Sequence, residues 1–311
     1  MSRGLRPSTL RRLTASLGAA VLTGTLALGA MSAPASALPA PATAGYWMTE
    51  ASGGVFGIGA VVPGSPLSSG LTLDAPIVGM AGTADGGGYW LAGADGGVFA
   101  YGDAKYLGSL PGLGVVPASP IVGIAATSDG KGYWLVGADG GVFAFGDAGW
   151  SGSLPGLGIN PAAPVVGITP TPTGHGYWLV ADDGGVFAFG DAGWFGTVET
   201  QRGAPPDAHV VGLVSSSDGA GYLIGEADGS VLRFGDGIFN GDTLTAGIIP
   251  AQPITAIAGA PDGKGYWLVG GDGGVFAFGS APYEGSIPGE LASGGVTFTT
   301  APSILAFAVA R

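Results

Sequence analysis

Apolar positions along this chain come in short runs cut by glycine and aspartate, and the same run keeps returning. From Gly132 to Trp150 it reads GYWLVGADGGVFAFGDAGW. A Gly-Tyr-Trp start recurs at Gly45, Gly88, Gly132, Gly176 and Gly265, with Gly-Tyr-Leu at Gly221, in steps of 43, 44, 44, 45 and 44 residues. Self-similarity at one period marks a repeat architecture. Within a unit, residues 89–94 and 98–101 are branched and aromatic, bounded by Gly and Asp, as strands require. Asp95-Gly96 between them reads as a two-residue hairpin turn, because Asp and Gly tolerate the positive φ it needs. Asp139-Gly140, Asp183-Gly184, Asp228-Gly229 and Asp272-Gly273 repeat the turn, and Ser52-Gly53 is a weaker version. That turn sets Trp90 opposite Tyr101 and Leu91 opposite Ala100. One face then carries Trp90, Phe99 and Tyr101, and the other Leu91, Val98 and Ala100.

A sheet apolar on both faces must be covered on both. A ring of sheets, each packing its large face on its neighbour's small one, meets that need, so the expected fold is all-β, a six-bladed β-propeller of about 44 residues per blade. Each blade is expected to have four strands. Residues 120–125 supply the innermost, residues 150–153 the outermost, and the turn 127–132 joins the inner strand to the next. The first unit starts at Gly45 without an inner strand, and residues 301–310 read as that missing strand. The C-terminal strand is therefore expected to complete the N-terminal blade and close the ring. The propeller is assigned to residues 45–311.

Composition agrees with this. There are 64 glycines, 46% hydrophobic residues and 10% charged residues, which fits turn-dense buried sheets rather than a disordered chain. With no cysteine there is no disulfide and no thiolate metal site. Residues 1–37 read as a signal peptide: Arg3, Arg6, Arg11 and Arg12 precede an apolar run, and Ala35-Ser36-Ala37 is an A-x-A cleavage site. The Arg11-Arg12 pair leaves ordinary and twin-arginine export both open, and an uncleaved anchor is a further reading. Residues 38–44 form a Pro/Ala spacer. Beyond residue 37 only six basic residues face 22 acidic ones, which repels phosphate backbones and disfavours nucleic acid. No later run is long enough for a membrane helix, and the short strands do not suit a transmembrane barrel. The mature chain is expected to be secreted, possessing no membrane span, and monomeric.

A residue that recurs in most units belongs to the scaffold before it belongs to an active site. This applies to the turn aspartates Asp95, Asp139, Asp183, Asp228 and Asp272, and to Asp103, Asp147, Asp191 and Asp236 after the third strand. Calcium is the one cofactor these acids suit, although the glycine-aspartate spacing of known calcium loops is missing. The recurring Tyr106, Trp150, Trp194, Phe239 and Tyr283 read either as sugar-stacking platforms or, with their equal spacing, as packing between blades. No G-x-S-x-G motif and no clustered zinc ligands occur. His175 falls in a turn slot and reads as solvated, and no catalytic residue or metal ligand is assigned. Departures from the repeat are more informative. Residues 197–209 replace the Ser-Leu-Pro-Gly-Leu-Gly stretch of their neighbours with Glu199, Gln201, Arg202, Asp207 and His209, which are the candidate ligand-binding residues. The next unit is also altered, with Leu223 for Trp, Ser230 for Gly, and Arg233 for Ala, read as buried and paired.

The motifs GYWLVGADGGVFAFGDAGW and PIVGIAATSDGKGYW resemble a repeat family in secreted proteins of high-GC Gram-positive bacteria, across about residues 45–311. The resemblance implies a propeller-like extracellular module, alone or beside cell-wall or hydrolytic domains, and supplies no catalytic residues. A more distant likeness, through the strand–Asp-Gly–strand hairpin, is to pyrroloquinoline-quinone-type propeller blades, whose cofactor pocket and metal ligands are not evident here. Together these readings lead to a secreted, cell-wall-associated, non-catalytic binding module for carbohydrate or protein, acting through its long-loop rim. Two alternatives stand beside it: a secreted hydrolase, such as a glycosidase with rim or channel carboxylates, and a structural cell-surface protein.

Overall fold

The computed structural model describes residues 45–293 and 302–310. The signal peptide and spacer expected over residues 1–44 lie outside the described residues. Eighteen strands form six antiparallel sheets of three strands each among them. The first sheet contains β1 (Tyr46–Glu50), β2 (Val55–Ile58) and, from the far end of the chain, β18 (Ile304–Val309). The second contains β3 (Ile77–Gly82), β4 (Gly88–Gly93) and β5 (Val98–Gly102), and the third β6 (Ile121–Ala126), β7 (Gly132–Gly137) and β8 (Val142–Gly146). The fourth contains β9 (Val165–Pro170), β10 (Gly176–Ala181) and β11 (Val186–Gly190). Helix α1 (Val198–Arg202) leads to the fifth, β12 (Val210–Ser215), β13 (Gly221–Glu226) and β14 (Val231–Gly235). The sixth contains β15 (Ile254–Gly259), β16 (Gly265–Gly270) and β17 (Val275–Gly279), and helix α2 (Ile287–Ser293) follows it.

The register corrects the sequence expectation by one residue. Trp90 faces Ala100, Leu91 faces Phe99, and Tyr89 faces Tyr101. The cause is the turn, whose loop has three residues rather than two. Gly96 N–H donates to Gly93 C=O at 2.9 Å, Gly96 takes φ +81°, and Gly93 N–H then donates to Gly97 C=O at 2.8 Å. A type I turn followed by a left-handed glycine adds one residue to the loop and moves every pair by one. Tyr89, Leu91, Phe99 and Tyr101 therefore share one face, and Trp90, Ala92, Val98 and Ala100 the other.

The expected fourth strand does not form. Residues 150–153 carry no strand, and each sheet ends at its third strand. The segment after that strand instead crosses to the next sheet. Gly108 lies against the ring of Phe145 and Gly152 against that of Phe189, so close that a Cβ at either glycine would sit within 3 Å of the ring. Tyr133 O–H donates to Gly108 C=O, and Tyr177 O–H to Gly152 C=O. A segment spent on a neighbour's aromatic face cannot also pair with its own third strand.

Each pair of successive sheets encloses one apolar cluster. Trp90, Ala92 and Val98 meet Ile124, Tyr133, Leu135 and Phe145 of the next sheet, and Trp134, Val136 and Val142 meet Tyr177, Leu179 and Phe189. Trp267 and Val269 of the sixth sheet meet Tyr46, Met48 and Phe307 of the first. Wholly buried side chains such as Leu135 and Leu179 contribute roughly 1.5–3 kcal/mol each. Neighbouring sheets also touch through their first strands, β3 with β6, β6 with β9, β9 with β12, β12 with β15, β15 with β18, and β18 with β3. As expected, β18 pairs with β1, Tyr46 opposite Val309.

The repeated Tyr-Trp pair has a defined hydrogen-bonding task. Tryptophan Nε1–H donates to a carbonyl fifteen residues on: Trp90 to Lys105 at 2.7 Å, Trp134 to Gly149 at 2.8 Å, Trp178 to Gly193 at 2.6 Å and Trp267 to Pro282 at 2.8 Å. The tyrosine hydroxyls lie at sheet interfaces. Burial raises the pKa of Tyr46, Tyr133, Tyr222 and Tyr266 to about 12.

Candidate functional site

The turn aspartates are explained by the turns. Asp95, Asp139, Asp183, Asp228 and Asp272 each accept the backbone N–H two residues on, at 2.9–3.0 Å. On the opposite ends of the sheets, Thr83 donates to both Asp85 and Asp103, and Thr127 to Asp129 and Asp147. Among the described residues, no group of three or more His, Asp or Glu side chains is placed to hold a metal ion.

The hairpin turns form one end of the sheets, and the connections into each following sheet pass over them. Leu110 covers Gly96, Leu154 covers Gly140, and Ile287 covers Gly273, each bonding through its N–H to the covered glycine's carbonyl. Val198 does the same for Gly184. The divergent stretch thus keeps the anchor of its neighbours while changing what surrounds it. A short helix replaces the expected loop. Thr197 caps α1 by accepting Thr200 N–H at 3.2 Å, and Gly203 ends it at φ +72°.

Arg202 sits at the centre of a charged network on this rim. Its Nη1 lies 3.1 Å from Asp207 Oδ2, 3.1 Å from Glu226 Oε2 and 3.0 Å from Glu226 Oε1. The Arg202 side chain is 24% exposed, Asp207 is 81% exposed, and Glu226 is completely buried. Ser230 Oγ–H donates to Glu226 Oε2 at 2.9 Å, while Oε1, although close to the guanidinium, has no aligned hydrogen-bond donor. Burial pushes the Glu226 carboxyl above its usual range, with Ser230 and Arg202 pulling the other way. His209 Nδ1 lies 2.8 Å from Asp182 Oδ2, tying the start of β12 to the hairpin turn of the fourth sheet. Glu199 and Gln201 are exposed on α1.

Of the five candidates, the structure joins Arg202 to Asp207, sets His209 on a separate acid, and leaves Glu199 and Gln201 facing solvent. Sequence reading missed Glu226 and Asp182, the two acids that hold the candidates. Both occupy slots where most units have small residues: Glu226 aligns with Gly93, Gly137, Ala181 and Gly270, though also with Glu50, and Asp182 with Ala138. Ser230, noticed as a substitution for glycine, is the Glu226 partner.

Arg233 is exposed, which corrects its reading as buried and paired. It faces Leu223 across β13 and β14, where the third sheet has Trp134 facing Ala144. The large and small members of the pair have changed places. Tyr106, Trp150, Trp194, Phe239 and Tyr283, read as sugar platforms or as packing between blades, are 39–61% exposed, so none is a fully buried packing residue. His175 is exposed in its turn, as expected.

On the same end of the sheets, an apolar groove of about 470 Å³ lies between the Asp95 turn and the connection through Pro111, Val115, Val116 and Pro120. Among the described residues, no helix is long and apolar enough to cross a membrane. No protein-family model matches this chain, and no curated protein matches it.

Proposed function

We propose that this chain is a secreted, non-catalytic six-bladed β-propeller that binds an extracellular carbohydrate or protein through the rim formed by its hairpin turns and long connections. Closure into a ring is supported by the series of first-strand contacts that returns from β18 to β3, and by the Trp267–Tyr46 cluster joining the sixth sheet to the first. The resemblance to secreted repeat proteins, and the basic and apolar start of the sequence, support export.

The observation that carries the binding reading is the network around Arg202. One rim segment is fixed at Arg202 and His209 to acids of two different sheets, and it holds Glu199, Gln201, Asp207 and His209 outward on a capped helix and its following loop. A polar surface held this way presents its groups to a ligand at little ordering cost. The hydrolase reading is less well supported. The acid with the raised pKa, Glu226, is wholly buried and engaged by Ser230 and Arg202, where no substrate reaches it.

Co-sedimentation of the protein with insoluble cell-wall material, with and without chelator, tests the proposal. Saturable binding that Glu199→Ala, Gln201→Ala and His209→Ala weaken is expected. Chelator sensitivity would bring calcium into the site. Binding that these three exposed substitutions leave unchanged would refute the rim assignment.

A further inference from the structure

Five aromatic residues remain without a role in the fold or the rim. Tyr106, Trp150, Trp194 and Tyr283 are 56–61% exposed and Phe239 is 39% exposed. They occupy one position in five successive units, after the third strand. The residues on either side vary freely. Lys105, Gly149, Gly193, Ile238 and Pro282 precede them, and Leu107, Ser151, Phe195, Asn240 and Glu284 come after. Only the exposed central residue stays aromatic, although burial does not require it.

The backbone is clamped on both sides at four of these positions and on one side at the fifth. In four units the peptide carbonyl before the aromatic accepts the indole N–H of Trp90, Trp134, Trp178 or Trp267. In all five, the N–H after it donates to a tyrosine hydroxyl: Leu107 to Tyr133, Ser151 to Tyr177 and Phe195 to Tyr222 at 3.2 Å, Asn240 to Tyr266 and Glu284 to Tyr46 at 3.3 Å. Phe239 lacks the indole clamp, because Leu223 replaces that tryptophan, and it is the least exposed of the five. Three rings have a further anchor. Tyr106 Oη lies 3.0 Å from Ser109 Oγ, Tyr283 O–H donates to Ser286 Oγ at 3.4 Å, and Trp194 Nε1–H donates to Val186 C=O at 3.2 Å.

We infer that these five residues form a second set of binding positions on the connections, distinct from the polar groups on and after α1: repeated stacking platforms for an uncharged polysaccharide. A sugar ring offers an apolar C–H face that lies flat on an aromatic ring, and a ring already held in place loses little freedom when it is covered. The chain's formal charge of −12 repels acidic polymers and leaves neutral ones as the matching class. A polymer of identical sugars can engage several identical platforms at once, so weak single contacts add into retention.

Tryptophan fluorescence tests this directly. Trp150 and Trp194 are exposed, whereas Trp47, Trp90, Trp134, Trp178 and Trp267 are at most 2% exposed, so a soluble quencher reads the platforms selectively. With the intact protein, chitohexaose or cellohexaose is expected to reduce acrylamide quenching at least twofold, and polygalacturonate is not. On insoluble chitin and cellulose, Trp150→Ala and Trp194→Ala are each expected to lower retention several-fold and together by about the product. Near-ultraviolet circular dichroism of the interior tryptophans checks that the variants remain folded. The rim substitutions Glu199→Ala and His209→Ala leave this retention unchanged, so the two sets of positions fail or stand separately. Absence of quenching protection by either neutral sugar, retention that survives loss of both tryptophans, or aromatic-dependent binding to a wall protein but not to glycan would each overturn the inference.

Discussion

Among the described residues, Arg202→Ala removes the only cation beside a wholly buried carboxylate. Glu226 then keeps Ser230 as its single donor, at 2.9 Å. Breaking a buried ion pair from one side costs about 3–5 kcal/mol. Arg202 is itself a quarter exposed, so the lower end applies, about 3 kcal/mol at pH 8. The cost depends on pH with a fixed sign. Glu226 already titrates above the ordinary glutamate value of 4.5 in the folded protein, and loss of Arg202 raises it further. The folded state then binds the extra proton, so stability falls as pH rises through the window above 4.5, by at most about 1.4 kcal/mol per pH unit. Below that window Glu226 is protonated in both states and the electrostatic part of the cost vanishes. Urea unfolding of the parent and of Arg202→Ala, at intervals from pH 4 to pH 8, measures this. The double variant Arg202→Ala with Glu226→Ala completes the cycle. Ala181 stands in the same slot of the fourth sheet, so alanine fits there, and the double variant is expected to recover most of the loss and to flatten the pH dependence. A loss below about 1 kcal/mol at pH 8, or one as large at pH 4 as at pH 8, would show that the pair does not hold the rim as described.

Other expectations come from the interfaces. Tyr133→Phe strands Gly108 C=O and Leu107 N–H and is expected to cost about 2 kcal/mol in chemical unfolding. The raised interior tyrosines, at about 12 against an ordinary 10.0, imply stability that is full below pH 10 and lost as pH rises toward 12; absorbance titration should show tyrosinate forming together with unfolding. Gly140→Ala combines φ +77° with a Cβ 2.5 Å from Leu154 Cδ1, and about 2–4 kcal/mol should be lost in the same assay. Leu223→Trp alone overpacks the site opposite Arg233 and is expected to cost about 1–3 kcal/mol, with Arg233→Ala restoring it in the double variant.

The chain's periodicity made the number of sheets legible, because Gly-Tyr-Trp and Asp-Gly are local signals that need no tertiary context. The strand pairing was less so. Asp95-Gly96 fits both a two-residue and a three-residue loop, and only the bond from Gly93 N–H to Gly97 C=O separates them. The missing fourth strand was invisible for a different reason. Its residues come after their own third strand in sequence, yet they are held by the tyrosine of the next unit, 25 residues on, as Gly108 is by Tyr133. At the rim, Arg202 and His209 stood out as departures within one stretch, while Glu226 and Asp182 lay at the ends of ordinary-looking strands. A glutamate also stands in the Glu226 slot of the first unit, at Glu50, bonded there to Ser52, so its presence did not signal a buried partner for a distant arginine.

The pairing of β18 with β1 has a consequence for how the molecule is made. Every other sheet is built from neighbours in sequence and can assemble as soon as its own residues emerge. The first sheet holds only a hairpin until the last strand arrives, so the earliest part of the chain waits for the latest. Joining ends this far apart adds a loop-closure cost late in folding and is expected to slow that step. During the wait, β1 offers an open edge that the β18 of another copy fits equally well. Crowded synthesis would therefore favour exchanged dimers, and a chain shortened before Ile304 would carry that open edge permanently.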